Sequence, residues 1–272
     1  ACVEGGADYC DITGEPDFVD RSIARFGERA RDAGLRIVHC CGFDSIPHDL
    51  GAQFTAELLP SDGPMKIEAF VRARGTISGG TWHSAVRGMS HLRDRPEGAR
   101  TRAPGGKKTK LLSRRVRWVP ELACWGCPLP TIDPQIVLRS ARELPEYGPE
   151  PSYGHYVRVK RLSTVVAGLA AVGGAVALAQ VGPTRELLLR ARKQGDGPSE
   201  EQRRKGWFEV TFLGEAGGKK VETTVSGGDP GYDETAKMVA ESALCLALDR
   251  ERLPARHGVV TTAVAMGPVL RE

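Results

Sequence analysis

The chain has 272 residues, 40% of them apolar and 26% charged, enough to bury one large core or two modest ones. A formal charge of +4 is too mild to demand a nucleic-acid partner. Seven irregularly placed cysteines, with no secretory signal at the start, read as reduced thiols in a cytoplasmic setting.

The opening ACVEGGADYCDI reads as a helix end, a Gly turn and a strand, Tyr9–Ile12. Phe18, Val19, Ile23 and Phe26 recur at helical spacing and predict a helix over residues 16–33, packed on a sheet. Residues 35–41 form a buried strand that breaks at Gly42, passes Asp44 and Ser45, and restarts as a helix over 47–59. Ser45 suits the N-cap and Pro47 the first turn. Residues 1–60 are thus the closing part of a doubly wound α/β domain. The strand, polar turn and helix N-terminus place backbone donors at a sheet's carboxyl edge, where such sheets bind cofactors and substrates. A well-capped connection is the plainer reading of the same turn.

Ile67, Ala69, Val71 and Ala73 then alternate with Glu68, Arg72 and Arg74, the change of period expected on entering a second, α+β domain with a mixed sheet, 61–272. GTISGGT, residues 75–81, turns into a helix bearing Trp82, Ala85, Val86 and Met89. Gly79 and Gly80 admit a close ligand, and Ser78 or Thr81 can cap. Residues 100–117 hold eight basic side chains and no acidic one, without an aromatic to stack bases, which disfavours nucleic acid. A solvated insertion is the plainer reading; anionic headgroups or an acidic carrier is the other.

Cys124 and Cys127 have redox or zinc spacing, but no second pair completes a site, so coincidence in a Pro-rich loop is favoured. Residues 163–181 carry no charge and are rich in Ala, Gly and Val. They read as a membrane-associated interfacial helix ahead of a buried soluble one, with a true span last. Residues 195–205 read as a linker. Alternation at Phe208, Val210 and Phe212, then at Val221, Thr223 and Val225, predicts a hairpin joining the strand at Ile67. Asp229 and Pro230 then suit the start of a helix with Ala236, Val239, Ala240, Ala243, Leu244 and Ala247 as its core stripe.

GFDSIPHDLG and the upstream DYCDITGE resemble the saccharopine dehydrogenase-like oxidoreductases, in the branch of trans-acting enoyl reductases of actinobacterial lipid synthesis. GTISGGT, PLPTIDPQIVLRSA, YGHY, GGDPGYDETAKM and TTAVAMG continue the resemblance in order along the chain. It implies a Rossmann-type domain followed by a saccharopine reductase-like α+β domain. The implied activity is NADPH-dependent reduction of an enoyl thioester, carried on a polyketide synthase carrier domain in glycolipid synthesis, with hydride to the β-carbon and a proton to the α-carbon.

By motif position, Tyr9, Asp11, Thr13, Gly14 and Glu15 fall on the nicotinamide-ribose side, Asp44 and Ser45 beside the reacting carbons, and Ser78, Gly79, Gly80 and Thr81 on the substrate. No metal is expected, nor a nucleic-acid partner; a homodimer and peripheral membrane contact are. The family places a mononucleotide-binding unit upstream, and no GxGxxG occurs within the first 40 residues, so the chain reads as a fragment. An inactive membrane-associated scaffold and a saccharopine-type amino-acid dehydrogenase are the alternatives. No Ser/His/Asp set stands at recognisable spacing, and His39, His48 and His83 are too scattered to nominate as metal ligands.

Overall fold

The computed structural model describes residues 1–75, 82–83, 86, 107–191 and 197–272. The chain opens with α1 (Cys2–Gly5), β1 (Tyr9–Cys10), α2 (Pro16–Asp32), β2 (Arg36–Val38) and α3 (Ile46–Glu57). The strands are shorter than their apolar runs. β2 ends at Val38 because Cys40 takes the left-handed region, φ 65, which no ladder accommodates, and its N–H turns to the Asp11 carboxylate.

The second part runs β3 (Met65–Arg74), β4 (Lys110–Leu111), β5 (Arg117–Val119), β6 (Cys124–Pro128), α4 (Asp133–Glu143) and β7 (Pro151–Val159). Three helices follow, α5 (Leu162–Ala179), α6 (Gly182–Arg190) and α7 (Glu200–Arg204), then the hairpin β8 (Trp207–Ala216) and β9 (Lys219–Gly227). It closes with α8 (Asp233–Leu248), β10 (Gly258–Val260) and α9 (Thr262–Leu270).

Two sheets result. The small one is parallel, in the order β1-β2-β10. The mixed one runs β5-β6-β7-β3-β8-β9 with β4 beside β7; β3 is parallel to β7 and antiparallel to β8, as the alternation predicts. The division at residue 60 leaves out part of the small sheet. Val259 lies opposite Ile37, so β10 and α9, from the far end of the sequence, return to complete it.

α3 lies between the two sheets. Ala52, Ala56 and Leu59 pack with Ile67, Ala69, Val210 and Phe212 of the mixed sheet, while Ile46 and Leu50 pack with Val260 and Val264. A helix covered on two sides is apolar nearly all round rather than striped. Gly51 makes the approach possible: a Cβ there would stand 2.5 Å from Phe212 Cε2.

Three local expectations change. Cys124 and Cys127 lie in strand β6, not a loop, and residues three apart in a strand face opposite sides, so the spacing cannot form a redox pair. Within residues 195–205, α7 is a helix with a capping box between Ser199 and Gln202. α8 begins at Asp233, because Asp229 Oδ2 accepts the Tyr232 N–H and caps the preceding turn. Its buried face carries Ser242, Cys245 and Leu246, with Ala236, Ala240, Ala243, Leu244 and Ala247 exposed.

Candidate functional site

The three strands of the small sheet run parallel, so the loops after β1, β2 and β10 emerge at one carboxyl edge. Asp11 shapes this edge. Its Oδ1 accepts the N–H groups of Thr13 and Cys40, and its Oδ2 lies 2.7 Å from His39 Nδ1. Burial would raise the Asp11 carboxyl, but His39 and these donors outweigh it and hold it low. With both oxygens engaged, Asp11 positions the loop bearing Thr13, Gly14 and Glu15. Tyr9 packs edge-on against the His39 ring, and burial beside Asp11 pushes its hydroxyl up to about 12.

His39 Nε2 lies 2.7 Å from Ser22 Oγ, which completes an Asp–His–Ser chain that sequence spacing hid. Ser22 is buried inside α2, where the neighbouring backbone N–H groups are bonded within the helix and none faces an oxyanion. The chain pins α2 to the sheet edge; it does not form a hydrolase centre.

Asp44 projects from the next loop. Its Oδ2 is 3.1 Å from where a Cβ on Gly14 would sit, so glycine leaves room for the two loops to meet. The cleft walls desolvate its carboxyl and, with the negative charge of Asp133, raise it to about 6, His48 opposing. The residue surface is nonetheless open to water, which argues for a smaller rise than a sealed cleft would give. Ser45 occupies the N-cap of α3 and is fully buried, yet its hydroxyl makes no cap bond. Ser78, Gly79, Gly80 and Thr81 lie outside the described residues.

The other resembling segments converge on residues 39–51. Thr235, from GGDPGYDETAKM, accepts the Phe43 N–H at 3.2 Å, and Gly75 packs against Pro230 in the same segment. From TTAVAMG, the Thr262 hydroxyl and Ala263 N–H both donate to Asp49 Oδ2 at 2.9 Å, so a carboxylate of α3 sits at the N-terminus of α9. Burial still raises Asp49 to about 6, those donors opposing.

PLPTIDPQIVLRSA and YGHY supply residues that sequence reasoning missed. Asp133 Oδ1 lies 2.8 Å from His48 Nδ1, Asp133 Oδ2 lies 3.5 Å from His155 Nε2, and all three side chains are buried. Tyr153 Oη lies 3.3 Å from His155 Nδ1. Burial alone would raise Asp133, but the two imidazoles hold it below the usual range. Burial pushes His155 down to about 4, so it stays neutral, and the charge rests on Asp133. The His48 Nδ1, Asp133 Oδ1 and His155 Nε2 contacts lack hydrogen-bond alignment, and the candidate ligand atoms lie within 4.8 Å of one another. His39 and His83 do not join His48, but among the described residues Asp133 and His155 do, close enough for the three to hold a divalent cation.

The edge therefore brings together the loops that follow the parallel strands, with the raised Asp44 carboxyl exposed on it and the buried Asp133 carboxylate behind it. No family model matches the chain. It is 35% identical over 306 residues to a protein of Mycobacterium tuberculosis named for trans-acting enoyl reduction, covering 100% of this chain and 73% of that one. To the trans-acting enoyl reductase of Mycobacterium ulcerans it is 32% identical over 305 residues, covering 99% and 72%. Among solved structures, an engineered D-amino acid dehydrogenase bound to NADP+ aligns with a TM-score of 0.42 at 14% identity, covering 98% of this chain and 72% of that one. A diaminopimelate dehydrogenase of C. glutamicum aligns at 0.37 and 15%, covering 99% and 80%. Both are too distant for a ligand or a mechanism to be carried across.

Proposed function

The chain belongs to the trans-acting enoyl reductases, a branch of the saccharopine dehydrogenase-like oxidoreductases, and from that membership we propose that it reduces an enoyl thioester presented in trans, with NADPH as reductant. The observation that carries this reading is the convergence of segments from residue 8 to residue 267 on residues 39–51, the loop after β2 and the first half of α3.

The bound nicotinamide supplies the hydride to the β-carbon. The loop 11–15 would hold the ribose side of a bound nicotinamide, Gly14 letting that loop come up to Asp44. Asp44 donates the proton required at the α-carbon, a role its raised pKa suits near neutral pH. Asp133 and His48 lie behind it, so their charges set how readily Asp44 gives that proton up. The basic residues Lys107, Lys108, Lys110, Arg114 and Arg115 suit an acidic carrier domain. Arg114 also borders a small cavity with Ser113, Leu129, His155 and Tyr156.

Fluorescence titration with NADPH and NADH, followed by turnover of a short enoyl thioester watched at the nicotinamide absorbance, tests the reading. Tight NADPH binding with loss of absorbance on adding thioester is expected. A chain that binds NADPH yet leaves its absorbance unchanged on adding enoyl thioesters would refute it.

A further inference from the structure

We propose that the helical pair α5–α6 is a membrane-docking hairpin that enters one face of an anionic bilayer without crossing it. The inference goes beyond the reductase reading and stands without it.

α5 is long and apolar enough for a membrane by length and composition, yet only 11% of it is buried. Val166, Leu169 and Val172 are 60%, 59% and 59% exposed. Val165 and Ala179 are its buried residues. At 3.6 residues per turn, Leu169 and Val172 fall on the same face as Val165 and Ala179. The helix therefore touches protein near its ends and stands clear between them. Leu178, Val181 and Leu187 carry the apolar surface on into α6. A helix apolar on every side belongs in a core or in lipid, and α5 is in no core.

Topology decides between entering and crossing. At ~1.5 Å per residue α5 is about 27 Å long, close to the ~30 Å of a hydrocarbon layer. But β7 before it and β8 after it both flank β3 in one sheet, so the chain must come back to the side it left. The return arm, α6, has 9 residues and carries Arg185, Glu186 and Arg190. It is also tied to the protein body, Trp82 Nε1 donating to the Leu188 carbonyl at 2.6 Å. Such an arm cannot recross hydrocarbon.

Charge identifies the occupant. Lys160 and Arg161 stand before the apolar stretch, Arg185 and Arg190 after it, while Arg158 is taken up by Glu209 and the Leu122 carbonyl. The one acid between 158 and 190, Glu186, pairs with Arg190. This cationic collar at the base of an apolar hairpin matches anionic headgroups above acyl chains. A second copy of the chain would set the same cations against one another.

The hairpin leaves β7 at the same end of the sheet at which Gly75 follows β3, since the two strands are parallel, and Trp82 grips α6.

Flotation of the full chain with phosphatidylcholine vesicles, with and without phosphatidylglycerol, tests the proposal. The chain should float with the anionic vesicles and be partly released by salt. The double substitution Leu169→Glu and Val172→Glu should weaken binding by at least about tenfold without lowering the melting temperature, because both positions are exposed. Absence of flotation on either vesicle overturns docking, and equal flotation on both overturns the role of the collar. If instead the wild type sediments as a dimer that the same double substitution separates, the hairpin is a contact between copies. Loss of nucleotide binding with flotation intact would remove the reductase reading alone.

Discussion

Asp133 of α4 meets His48 of α3 inside the protein, Oδ1 to Nδ1 at 2.8 Å, with His155 of β7 on its other oxygen. Breaking a buried pair from one side is costly, because the surviving charge has no water to turn to. Asp133→Ala should therefore destabilise the chain by about 3–5 kcal/mol in urea denaturation. A change within about 0.5 kcal/mol, as at an ordinary surface site, would show that Asp133 is not held as an ion.

Asp44 must be protonated to act as an acid. Its carboxyl is raised from the usual range to about 6, so the proton-dependent step should be flat at lower pH and slow as pH rises through that value. Asp44→Asn should lower turnover by roughly 10²–10⁴-fold, the usual contribution of a placed acid, and remove this pH limb while nucleotide affinity stays. A full rate with the limb retained would assign the proton elsewhere.

Asp49 links stability to pH. Its folded-state pKa, about 6, lies above the ordinary 3.8, so the folded chain holds a proton over that interval that the unfolded chain has released. The stability from this group is complete below the ordinary value and is lost as pH rises through about 6. A rise of about two units corresponds to about 3 kcal/mol at most. Asp49→Asn keeps an acceptor for Thr262 and Ala263 and removes the charge. Melting temperatures should therefore fall from acid toward neutral pH more steeply in the wild type than in the variant.

Gly51 faces Phe212 with no room for a methyl group. Gly51→Ala should push α3 off the mixed sheet and cost about 1–3 kcal/mol, the usual penalty of overpacking, despite alanine's better helix propensity. Pairing it with Phe212→Leu should recover part of the loss. Additive losses would show that the two residues do not touch.

Period-two alternation made β3, β8 and β9 legible, and a polar turn after an apolar run made the crevice edge legible. The buried stripe of α8 was not, because small apolar residues wind round it and only the packing of Cys245 and Leu246 with Val260, Val264 and Met266 chooses a face. Asp133 and His155 lay in recognisable segments but were unreadable as partners of His48. Their spacing records nothing about a contact made where α3 and α4 pack together over β7. One local sign existed: His155 shares a strand face with Tyr153, a position where a sheet facing a helix would otherwise place an apolar side chain. The Asp11–His39–Ser22 chain was hidden likewise, since it joins a loop, a strand end and a helix.

β10 has consequences for the order in which the chain folds. The small sheet needs Gly258–Val260 beside Arg36–Val38, so its inner strand waits, unpaired on one side, until the whole stretch between the two strands has left the ribosome. The mixed sheet and its hairpin can form in that interval, because β8 and β9 pair locally. Nascent chains should thus pass through a state with a finished mixed sheet, an open crevice and an exposed β2 edge. That edge is where premature termination or slow translation would seed aggregation.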